Sequence, residues 1–147
     1  MRLPILSLLL LLSLYATAQR HCDADSAYSE AQAMHRPILL VFSGSDWCPN
    51  CMRFERKILS DSTFMSYAQQ GLTILMAEFP QRKKLSPHTI AQNKRLADKY
   101  NTDGYFPHIL LIEEGDKKSI SIDYANPPVA DFIRTLDEAR ANLGYHD

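Results

Sequence analysis

The chain is 147 residues long and 46% hydrophobic, enough for one domain with a real core and short for two. Sixteen basic residues stand against seventeen acidic ones, for a net charge of −1. Nothing resembles the basic stripe of a nucleic-acid binder, so no nucleic acid is expected as a partner.

Residues 1–18 read as an export leader. Met1-Arg2 supplies a positive start, the run from Ile5 to Leu14 is almost entirely Leu and Ile, and Ala16-Thr17-Ala18 is a small-x-small cleavage pattern. The run is too short for a membrane span of about 20 residues. Cleavage after Ala18 leaves residues 19–147 as a single domain in an exported, periplasmic or cell-envelope setting; an uncleaved anchor is the alternative. Such a compartment is oxidising, and cysteines there are usually paired. Gln19-Arg20-His21 lacks the small apolar residues that would make Cys22 a lipid-anchor site.

In chain order, Asp25 or Ser26 is positioned to cap a first helix containing Ala27, Tyr28, Ala31 and Met34, ending before Pro37. Ile38-Leu39-Leu40-Val41-Phe42 is apolar at every position, as in a central strand covered on both faces. Gly44 supplies a tight turn, and Cys48-Pro49-Asn50-Cys51 then opens a helix with an apolar stripe at Cys51, Phe54 and Ile58. Pro49 falls in the first helical turn, where a missing N–H costs nothing. Ser60-Asp61-Ser62 caps a short helix stopped at Gly71, and Leu72 to Phe79 is a second strand closed by Pro80. Gln81-Arg82-Lys83-Lys84 is the most basic patch and reads as a solvated loop rather than a recognition element. Ser86-Pro87 begins a helix with Ile90, Asn93, Ala97 and Tyr100 on one side and Leu96 close by. Ile109 to Ile112 and the alternating Ser119 to Asp123 flank a Gly-containing turn and form a hairpin. Asn126-Pro127-Pro128 then caps a helix that runs to Gly144. The expected fold is an α/β sandwich, a central mixed sheet flanked by helices on both faces.

Strand, turn, Cys-x-x-Cys and helix in that order read as a redox site. The first sulfur would lie where free N–H groups and the helix dipole favour a thiolate, and the two sulfurs can close a small disulfide ring. A structural disulfide and half of a zinc site are the competing readings. No second Cys-x-x-Cys or His pair follows to complete tetrahedral zinc, so neither metal nor other cofactor is expected. Three cysteines are an odd number. Cys22, in a segment expected to be mobile, is left as an incidental free thiol or as a group for intermolecular pairing or resolution.

The segments Phe42-Ser43-Gly44-Ser45-Asp46-Trp47-Cys48-Pro49-Asn50-Cys51 and Asp103-Gly104-Tyr105-Phe106-Pro107 resemble the thioredoxin superfamily, particularly its secreted branch. The resemblance covers roughly residues 24–146. It implies a thioredoxin-like fold and thiol–disulfide exchange with protein substrates, in which Cys48 attacks and Cys51 resolves. It also implies a cis peptide before Pro107, facing the disulfide, and a substrate-binding surface of Trp47, Pro49, Asn50, Phe106 and Pro107. Two positions depart from the family pattern. The strand before the cysteines ends in Val41-Phe42 without the usual buried acid, and His108 follows Pro107 where Thr is common. His108 either reaches the site and titrates near neutral pH or simply starts a strand. Asn50 carries no charge, and Asp46 would disfavour a nearby thiolate. Both favour a reductase or isomerase over a disulfide donor, supplied with electrons by a membrane-embedded partner. The other class consistent with these residues is a thioredoxin-like binding module that holds metal or a partner protein through the same cysteines without turnover. No added dimerisation segment is evident, so a monomer is the default expectation.

Overall fold

The computed structural model describes residues 19–146, so the leader expected over residues 1–18 lies outside the described residues. Five strands form one sheet in the order β1-β3-β2-β4-β5: β1 (Arg20–His21), β2 (Ile38–Ser43), β3 (Thr73–Glu78), β4 (His108–Ile112) and β5 (Ser119–Ile122). β2 lies at the centre, parallel to β3 and antiparallel to β4, and β4 and β5 make the expected antiparallel hairpin. Successive side chains of a strand point to opposite faces, so a run apolar at every position needs cover on both. All six residues of β2 are buried. Leu39 and Val41 join Phe54, Phe64, Phe132 and Leu136 on one face, while Ile38, Leu40 and Phe42 join Ala27, Ala31 and Leu96 on the other. The first face is closed by α2 (Pro49–Phe54), α3 (Ser62–Gly71) and α5 (Val129–Leu143), the second by α1 (Ala24–Met34) and α4 (Pro87–Tyr100).

Four details differ from the sequence reading. The cap of α1 is Asp23, whose carboxylate accepts the Ser26 N–H at 2.9 Å, rather than Asp25 or Ser26. Residues 20 and 21 are no loose leader to that helix. They pair in parallel with Ile74 and Leu75, Arg20 forms an ion pair with Glu55, and the Cys22 carbonyl accepts from Gln92 Nε2 at 3.0 Å. Beyond Phe54 the helix widens into a π-helical turn, Glu55–Leu59, which lets the adjacent residues Ile58 and Leu59 both reach the core. On α4 the inward positions are Gln92, Asn93 and Leu96, and Ile90 stands 55% exposed. The two buried amides serve neighbouring backbone: Gln92 accepts the Ala24 N–H and Asn93 donates to the Glu78 carbonyl.

Candidate active site

The site forms where β2 runs out of the core. Gly44 follows Ser43, and a Cβ there would lie 2.3 Å from the Trp47 ring, so only glycine lets the indole fold back across the turn. The Gly44 carbonyl accepts the Trp47 and Cys48 N–H groups at 3.2 and 2.9 Å, which closes the turn. Trp47 donates Nε1–H to the Phe79 carbonyl at 2.7 Å and meets the Phe106 ring edge-on at 5.3 Å.

Cys48 is the N-cap of α2. Its backbone is extended, and its sulfur accepts the Cys51 N–H at 3.1 Å. That N–H has no partner within the helix, and pairing it with sulfur favours a negative charge on Cys48 once the disulfide opens. Cys48 and Cys51 are joined by a disulfide, with Cα atoms 5.2 Å apart. Cys51 lies under the turn and its sulfur accepts the Gly44 N–H at 3.5 Å. Both residues are buried, at 4% and 2% exposure. Position at the helix start, more than exposure, therefore distinguishes Cys48. Pro49 and Asn50 are exposed beside it.

The Phe106–Pro107 peptide is cis. The loop that carries it is held by Asn101, whose buried amide accepts the Tyr105 N–H at 3.0 Å and donates to the Tyr105 carbonyl at 2.9 Å, while Gly104 takes a left-handed φ of 68°. A cavity of about 540 Å³ is bounded by Asn50, Tyr105, Pro107, His108, Ser121 and Tyr124. On the other side, Trp47 and Phe106 line an apolar groove of about 740 Å³ shared with Phe79 and Leu85. The structure thus brings Trp47, Cys48, Phe106 and the neighbours of Pro107 to one end of the sheet.

Two electrostatic expectations change. The Asp46 carboxylate accepts three backbone N–H groups, from Gln81, Arg82 and Lys83, at 2.8, 2.7 and 3.0 Å. These bonds, with Arg82 nearby, hold its pKa below the ordinary value of 3.8. The carboxylate thus stays ionised and is turned onto the 81–83 loop, where three N–H dipoles face its charge. Asn50 accepts from Arg53 at 3.2 Å, which brings that cation to the residue between the two cysteines. His108 turns toward α4: its Nε2–H donates to the Tyr100 carbonyl at 3.0 Å. Burial lowers its pKa from 6.5, against the opposing pull of Asp103, so it is neutral at neutral pH. Asn101 and Tyr124 were not singled out from the sequence, and Tyr105 only as part of the segment before Pro107. Only the Asn101–Gly104 punctuation offered a signal, and it reads as an ordinary helix stop. Among the described residues, no group of three or more His, Cys, Asp or Glu side chains is placed to hold a metal ion.

This combination of fold and site defines the thioredoxin-like class of thiol–disulfide oxidoreductases. A family model described as thioredoxin-like matches residues 17–113, well over half of the chain, and the chain belongs to that family. It is 31% identical over 125 residues to the disulfide bond reductase DsbH of Chlamydia pneumoniae, covering 85% of this chain and 69% of the relative. A solved DsbH oxidoreductase superposes with a TM-score of 0.77 at 26% identity, over 84% of this chain and 85% of that one. A second relative, the thioredoxin-related protein DsbJ of Chlamydia pneumoniae, is 27% identical over 94 residues, 64% of this chain but 27% of DsbJ. The protein is a protein-disulfide oxidoreductase.

Proposed function

We propose that this oxidoreductase works in the reducing direction on disulfide-containing polypeptides of the cell envelope, with Cys48 as the attacking and Cys51 as the resolving sulfur. The observation that carries the assignment of Cys48 as the attacking sulfur is its position: N-cap of α2, its sulfur on the Cys51 N–H, Trp47 on one flank and the Phe106–Pro107 loop nearby. In the reduced protein, the Cys48 thiolate attacks one sulfur of a substrate disulfide. The substrate S–S bond breaks, a Cys48–substrate disulfide forms, and the departing substrate thiolate takes a proton. Cys51 then gives up its proton and attacks Cys48. This restores the Cys48–Cys51 disulfide and releases the second substrate thiol. Two electrons have passed from protein to substrate, and a dithiol donor must return them. A membrane-embedded donor is the fitting class, because the envelope has no soluble thioredoxin system.

Trp47, Pro49, Asn50, Phe106 and Pro107 form the surface that the substrate meets. Residues 19–147 act as one unit behind a leader cut after Ala18, and a monomer suffices because both sulfurs come from one chain. The likeness to a disulfide bond reductase supports the direction, as does the neutral Asn50 before Cys51, which supplies no cation of its own to the Cys48 thiolate.

Two measurements test the reading. Cys48→Ser should abolish disulfide exchange by the purified protein; full activity in that variant refutes Cys48 as nucleophile. The potential of the pair should lie near that of thioredoxin, about −270 mV, and a value near about −120 mV would make the protein a disulfide donor. Stoichiometric metal retention without exchange would instead favour a binding module.

A further inference from the structure

The apolar groove beside Trp47 has an occupant that its own chemistry describes. Its inner wall includes Trp47 and Phe106, the residues directly before Cys48 and Pro107, so an occupant rests on the two rings that adjoin the active-site segments, although neither cysteine lines the groove itself. Phe79 and Leu85 continue the apolar surface, and Ile90 stands 55% exposed at the lip. Exposed apolar surface gathered in a concavity marks a binding site more often than scattered surface residues do.

The groove is also held in shape without a ligand. The three N–H bonds to Asp46 hold the 81–83 backbone, Trp47 is bonded to the Phe79 carbonyl, and Asn93 is bonded to the Glu78 carbonyl. A preformed wall lowers the ordering cost of binding. Its charge is one-sided at the surface. Lys83 and Lys84 are exposed lining residues, and neither forms an ion pair among the described residues. Glu78 is the carboxylate of the lining, and its Oε2 is buried.

We propose that this groove is a specificity subsite of the exchange reaction. It takes one large apolar side chain of the substrate polypeptide close to the disulfide, and Lys83 and Lys84 select substrates with Asp or Glu beside that side chain. The inference rests on the reading of Cys48 as the attacking sulfur and names the substrate class that this site prefers. The basic loop, read from sequence as a solvated turn, becomes the selecting element because Asp46 fixes its backbone and leaves the lysine side chains free.

The test uses the reduced protein and four short peptides, each with one cysteine capped as a disulfide with 2-mercaptoethanol. They carry Phe or Gly at one neighbouring position and Glu or Lys at the next. The readout is the ratio of second-order exchange rates between peptides, so a general loss of activity in a variant cancels. The Phe/Glu peptide should react about tenfold faster than the Gly/Lys peptide, a preference that weakens at high ionic strength. Lys83→Glu combined with Lys84→Glu should reverse the Glu-over-Lys preference, and Ile90→Ser should shrink the Phe-over-Gly preference. Equal rates on all four peptides, or preferences unchanged in the variants, overturn the inference while leaving the catalytic reading intact if 2-hydroxyethyl disulfide is still reduced. No exchange even with 2-hydroxyethyl disulfide removes both. Dimerisation lost in Ile90→Asp, with peptide preference unchanged, assigns the groove to a second copy and also overturns the inference.

Discussion

Trp47 is fixed from three directions, by the Gly44 backbone beneath it, by the Phe79 carbonyl and by the Phe106 edge. The chain has one tryptophan, so its fluorescence reports on the site alone. Gly44→Ala puts a methyl group where the indole lies, and the ring must leave. The expected result is a shifted emission spectrum and a loss of about 1–3 kcal/mol in urea unfolding; an unshifted spectrum would mean that the turn adapts without moving Trp47. Asn101→Ala removes two bonds from the Tyr105 backbone at a buried position. It should cost about 1–3 kcal/mol and slow exchange by loosening the loop before Pro107. Protonation of His108 is disfavoured by folding, since its folded pKa lies below 6.5. The unfolded chain therefore takes up the proton first as pH falls. The stability tied to neutral His108 is present above about 6.5 and is lost as pH falls through the folded pKa. His108→Asn should flatten the stability profile in that window, as followed by thermal unfolding, and an unchanged profile would assign the proton uptake elsewhere.

At the scale of elements, the Asp46 contact with the 81–83 loop joins the active-site turn to the wall of the groove. Asp46→Ala should speed amide hydrogen exchange at residues 81–83 and erase the preference for acidic peptides, with little effect on distant helices. Because folding lowers the Asp46 pKa, its contribution is present above about 3.8 and is lost as pH falls through the folded value, so the same loop should loosen in acid. Asp46 was visible in the sequence as a charge near Cys48, but its partners lie 35 to 37 residues away, beyond any local pattern. The local signals fared better. An apolar run marked β2, Ser86-Pro87 marked the start of α4, and a Gly-containing turn marked the β4–β5 hairpin. The edge strand β1 was missed because two residues carry no alternation to read, and their pairing with β3 is a tertiary event. The π-helical turn was missed because local periodicity does not mark the widening that lets adjacent Ile58 and Leu59 both face the core.

Across the whole molecule, the sheet divides two apolar layers, and the site sits at the end where the central strand leaves both. Phe132, buried at the junction of Phe54, Phe64 and Tyr124, belongs to the layer under α2. Phe132→Ala should cost about 3–5 kcal/mol in chemical denaturation. A smaller loss would show that α5 can collapse onto the cavity. The most direct test of the account is covalent. Cys51→Ala removes the resolving sulfur, so the reduced variant mixed with a peptide disulfide should accumulate one mixed disulfide, mapped by mass spectrometry to Cys48. An adduct on Cys22 instead, or no adduct with a peptide that the unmodified protein reduces, would contradict the assignment of Cys48 as the attacking sulfur.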